Sequence, residues 1–86
     1  MSATAELTRA VAFWATEVGV SAAQLASPAA RGAFLAACHR ELVAGARRLG
    51  IDEKGAAALA DSCVEGAEKI MRELLARGTS VPGGRA

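Results

Sequence analysis

Three side chains are the best equipped for chemistry in this sequence, the thiols of Cys38 and Cys63 and the imidazole of His39, with the carboxylate of Asp61 as a possible companion. A thiol can attack carbon, bind a soft metal or close a disulfide, and an imidazole beside a carboxylate can move a proton or hold zinc. Spacing argues against most of this. Cys38 and His39 are neighbours, and on a regular helix neighbours point about 100° apart, so they do not converge on one ion. No C-x-x-C or H-x-x-x-H pair supports a zinc site, and no Gly-rich phosphate loop follows a strand. Nothing resembles a nucleophile elbow beside a paired His and acid. The sequence therefore assigns no catalytic residue, no metal ligand and no cofactor. Cys38 and Cys63 remain open between three readings: small buried apolar residues in a reducing compartment, a disulfide, or a metal or redox role. Closing a loop of about 25 residues could contribute roughly 3 kcal/mol in the chain-entropy model.

The elements that must position these residues are helical. In 86 residues the apolar share is 52%, but 22 of those residues are alanine, and Phe13, Trp14 and Phe34 are the only aromatics. One small all-α domain over residues 1–78 is expected, with a thin core. Leu7, Val11, Trp14 and Val18 step by four, three and four, the stripe of an amphipathic helix over about 3–18. Gly19 followed by Val20 reads as a Schellman stop, and Ser21 with Gln24 as a capping box opening a short turn over 22–26. Ser27-Pro28 starts a helix over 28–49, in which Phe34, Leu35, Cys38, Leu42, Val43 and Leu49 form the apolar side and Gly50-Ile51 is the stop. Asp52 caps a last helix over 53–77. The tail 79–86, with Pro82-Gly83-Gly84, reads as disordered.

A connection of about three residues between the two long helices dictates an antiparallel hairpin, whose facing residues have a nearly constant number sum near 101. That register sets Cys38 beside Cys63, Gly45 beside Ala56 and Leu35 beside Gly66, so small residues let the helices approach closely. It also pairs Arg48 with Glu53 and Arg40 with Asp61. The helix over 28–49 is basic through Arg31, Arg40, Arg47 and Arg48, while Asp52 and the last helix carry six acids against four bases. With the first helix laid across this hairpin, the expected architecture is a three-helix unit. Its uncovered stripes are closed by a second copy in a homodimeric bundle.

Ten bases against nine acids leave a charge of +1, so no whole-chain field holds a polyanion. Phe13–Leu25 and Leu42–Leu59 each have offsets like a helix-turn-helix. In the first, however, Pro28 falls inside the would-be recognition helix and its face Ser21–Ser27 has no base; in the second that helix is long and acidic. Nucleic acid is thus disfavoured, and a small DNA-binding regulator is the alternative reading. The N-terminus lacks the cationic flank and apolar run of a signal peptide, and no run is long enough to span a bilayer, so a cytoplasmic protein off the membrane is expected. An Ala- and Arg-rich composition is associated with high-GC genes. The expected function is a non-enzymatic protein-binding module, a small bacterial or phage-type adaptor, regulator or inhibitor. Its partner interface is expected at Leu7, Val11, Trp14, Phe34, Ile70, Met71 and Leu74.

Overall fold

Local stop and start signals cut the chain into helices. The computed structural model describes residues 3–80 and contains α1 (Ala3–Ala23), α2 (Pro28–Arg48) and α3 (Glu53–Ser80). At the start of α2 the Ser27 hydroxyl accepts the Ala30 N–H at 3.1 Å, and Pro28 occupies the first turn, where its missing N–H costs nothing. At its end Gly50, with φ +94°, donates to the Arg47 carbonyl, and Ile51 N–H to Ala46, the two bonds of a Schellman motif. Asp52 then accepts the Gly55 N–H at 2.8 Å and opens α3.

α2 and α3 form the antiparallel hairpin. The predicted register holds to within one residue: His39 meets Asp61 at 2.8 Å and Arg47 meets Glu53 at 3.8 Å, where Arg40–Asp61 and Arg48–Glu53 were expected. Cys63 is buried and Cys38 half-buried, and both are free thiols.

The first helix departs from expectation. It has no stop at Gly19 and no separate helical turn over 22–26; α1 runs unbroken to Ala23 and closes with Gln24 and Leu25 N–H bonds to the Ser21 and Ala22 carbonyls. Gly19 has no positive φ, and its missing Cβ serves packing instead. A Cβ there would lie 2.8 Å from the Ala67 carbonyl oxygen and 2.9 Å from Ile70 Cβ. One turn earlier Ala15 Cβ would stand 3.2 Å from a Cβ on Gly66. α1 thus runs parallel to α3 along a contact of Ala15, Gly19 and Ala22 against Gly66, Ala67 and Ile70. Gly66 was expected to face Leu35, and Gly45 to face Ala56. The closest approach lies between α1 and α3, and a Cβ on Gly45 would come near only the Arg48 guanidinium. At the C-terminal end α3 continues through Thr79 and Ser80, residues assigned above to the tail. Gly78 has no positive φ and does not stop the helix. The remainder of that tail lies outside the described residues.

Both α1 and α2 lie against α3 and barely touch each other. The Cα atoms span 49 × 31 × 13 Å, an elongated and flattened slab. The buried core is almost entirely small: Ala15, Ala22, Leu35, Ala46, Ala56, Ala60, Cys63 and Ala67.

Two glycine substitutions separate packing from propensity. Gly19→Ala destabilises the fold by roughly 1–2 kcal/mol despite alanine's better helix propensity, because backbone atoms of α3 occupy the space. Gly32→Ala, in α2 with nothing within 4 Å of the added methyl, stabilises by about 0.5–1 kcal/mol. Urea denaturation of the two variants reads both signs.

Candidate functional site

The third edge of the unit, where α1 and α2 face each other across α3, is open. Trp14 of α1 and Phe34, Ala37, Cys38, Glu41 and Leu42 of α2 line a cleft of about 440 Å³. A second cleft of about 330 Å³ adjoins it, sharing Glu41 and Leu42, with Leu7 on the α1 side, Gly45 and Leu49 on α2, and Leu59 of α3 beneath. Together they make one apolar groove along the slab, with Glu41 the only charged side chain in its lining. Its width follows from size. Alanine and glycine bring α1 and α2 each close to α3, whereas Trp14 and Phe34 on the third edge are too large to let them close on each other.

The groove gathers part of the expected interface. Leu7, Trp14 and Phe34 line it, and Leu7 is 55% exposed. Met71 packs against the core of Ala15, Ala22, Leu35 and Ala67, and Ile70 against Gly19 at the α1/α3 contact; neither lines the groove. Val11 and Leu74 are half-buried and line neither cleft. Leu42, Gly45 and Leu49 were not singled out as interface because the hairpin alone appeared to use them; Leu49 is in fact 83% exposed. Phe13, about 100° around α1 from Trp14, is 68% exposed and outside the groove.

The groups of chemical interest sit at its side. Cys38 lines the first cleft, where burial raises its thiol pKa and the Glu41 carboxylate raises it further. Burial alone raises that of Cys63. Neither thiol is placed in the electropositive setting that activates cysteine. His39 is held by Asp61 on the outer side of the hairpin. Among the described residues no three His, Cys, Asp or Glu side chains group as a metal site would require.

Two of the four α2 arginines have partners within the fold: Arg31 donates to the Leu25 carbonyl at 2.9 Å, tying down the α1–α2 connection, and Arg47 pairs with Glu53. Phe13–Leu25, one of the two segments with helix-turn-helix offsets, lies in a single helix and its end, without a turn at Gly19. Among the described residues no helix is long and apolar enough to cross a membrane. No protein family model, curated protein or solved structure matches the chain.

The thiols report on the groove directly. At about pH 8, iodoacetamide labels Cys38 more slowly than an unstructured peptide thiol and Cys63 more slowly still. Glu41→Gln removes the smaller of the two effects on Cys38 and speeds its labelling, leaving Cys63 unchanged; mass-spectrometric labelling rates across pH check both.

Proposed function

We propose that the chain is a non-enzymatic protein-interaction module, a small adaptor, regulator or inhibitor that works by holding an apolar helical ridge in the groove between α1 and α2. The observation supporting this reading is the groove itself, an extended apolar trough with Trp14 and Phe34 at one end and Leu7, Leu49 and Ile51 at the other. A trough between two helices accepts the apolar stripe of a third, whose side chains at i, i+3, i+4 and i+7 enter it in sequence. Trp14 is a suitable anchor: it is large, already half-ordered by its own helix, and gains the most when water is excluded from both sides. The lining supports the same reading, since its side chains include Glu41 but no Lys or Arg to hold a phosphate, and Arg31 and Arg47 have partners within the fold.

The test uses side chains the fold does not need. Leu7→Glu with Leu49→Glu places two carboxylates at one end of the groove while leaving helicity by circular dichroism unchanged, because both positions are exposed. Capture from host extract with the wild-type chain as bait retains a binding protein that the double variant loses and that Phe13→Ser keeps. Loss with Phe13→Ser and retention by the double variant would move the interaction surface off the groove.

A further inference from the structure

The carboxylate of Glu41 is the one feature of the groove that an all-apolar partner stripe does not match. It lines both clefts and so stands where they meet, with Trp14 and Phe34 on one side and Leu7, Leu49 and Leu59 on the other. Phe34 and Leu49 lie about 22 Å apart along α2 at the helical rise, and Glu41 falls near the midpoint. Among the described residues Glu41 has no hydrogen bond or ion pair; the pairs His39–Asp61 and Arg47–Glu53 lie elsewhere on the hairpin. The sequence explains why. A base three or four positions away on the same helix would reach it, and those positions hold Ala37, Cys38, Ala44 and Gly45.

With the groove open, Glu41 is exposed and water solvates it. A helix seated along the groove changes that, because its stripe passes over the carboxylate and takes water from it. An apolar residue at that point leaves a charge partly desolvated without a partner, which costs free energy, and an acid there is repelled. Lysine and arginine fit both surfaces, with their methylenes along Leu42 and the head group at the carboxylate. The lining itself holds no base that would compete for this place. The influence of Glu41 also extends into the first cleft, where burial first and then this carboxylate raise the Cys38 thiol. Spacing completes the requirement. The α2 residues of the two clefts centre on Cys38 and Gly45, seven positions and about 10 Å apart, the distance between i and i+7 on a second helix.

We infer that the partner's helix carries a lysine or arginine in the middle of its apolar stripe, at i+3 or i+4 between apolar anchors at i and i+7, and that this cation pairs with Glu41. The assignment rests on the groove being the interaction surface proposed above, and it names the chemistry of the partner. It sets that partner apart from an ordinary amphipathic helix, whose stripe is apolar throughout and whose charges lie on the opposite face. The two anchors supply the attraction, and the central pair selects which stripe is accepted.

Selection from a displayed library of helical peptides tests this. The library is an alanine-rich helix of about eighteen residues, long enough to span the groove, with positions i, i+3, i+4 and i+7 of one stripe randomised. It is panned against the wild-type chain, against Glu41→Gln, and against Leu7→Ser with Leu49→Ser, a double variant that adds no charge of its own. Glu41, Leu7 and Leu49 are exposed, so the variants keep the fold, and circular dichroism verifies it. Wild-type binders that the double variant loses carry lysine or arginine at i+3 or i+4 between apolar residues at i and i+7, and panning on Glu41→Gln gives no such enrichment. In a selected peptide, replacing the cation by norleucine weakens binding to the wild type by about three- to tenfold and leaves the affinity for Glu41→Gln within about twofold. Groove binders with an uncharged stripe, or a preference for the cation that persists on Glu41→Gln, overturn the assignment and leave the groove reading standing. Binders that tolerate the double variant and are lost with Phe13→Ser move the surface off the groove and overturn both. A library without any groove binder overturns the cationic helix as occupant, while the capture from extract still tests the groove by itself.

Discussion

The approach of α1 to α3 at Gly19 and Gly66 sets the shape of the whole unit. With no Cβ on either glycine the helices come close: the Ala67 carbonyl and the Ile70 side chain occupy the space a side chain on Gly19 would need, and the Ala15 methyl that of one on Gly66. α3 is then shared, its small residues Ala56, Ala60, Cys63 and Ala67 buried between two neighbours. Three helices can close a triangle only if all three edges have similar widths. Here two edges are narrow because alanine and glycine line them, and the third is held open by Trp14 and Phe34. The groove is the geometric remainder of that inequality.

The same inequality governs the energetics. Burying an alanine removes little apolar area, so its stabilising effect lies mostly in dense dispersion contacts between backbones. Alanine's high helix propensity and the absence of side-chain entropy to lose add to this. The capping bonds at Ser27, Gly50 and Asp52 fix where each helix ends, each worth about 1 kcal/mol. Larger side chains, which would contribute more per residue if enclosed, are left half-buried along the groove or, at Leu49, almost fully in water. The fully buried core is thus mostly small residues, with Leu35 the large exception and Trp14, Val18, Phe34, Val64 and Met71 packed partly buried against it.

Much of this was legible because it is local. Ser27-Pro28, Gly50-Ile51 and Asp52 announce their helix ends through groups within four residues of themselves, and the short connection forces the hairpin, whose ion pairs fall within one residue of the predicted register. Gly19 was misread because two different needs select the same residue. A C′ position and a close helix crossing both require a missing Cβ, and only the neighbour in space, here Ala67, tells which applies. The reassignment of Gly66 from Leu35 to Ala15 has the same origin, as do Ile70 and Met71, which turn to α1. Leu7, Trp14 and Phe34, expected as interface from size and stripe alone, line the groove. The groove they share depends on which edge of the hairpin the first helix takes, a choice between non-local contacts that no single stretch of sequence encodes.

If the open groove is the recognition surface proposed above, recognition is tied to folding. Whatever fills the groove covers Trp14, Phe34 and Leu42 and meets both α1 and α2, which otherwise hold together mainly through α3. Its binding energy therefore adds to the stability of the chain itself, by mass action and in proportion to the logarithm of its concentration over its dissociation constant. Occupancy of the proposed groove would brace α1 against α2, the two helices with the least mutual contact.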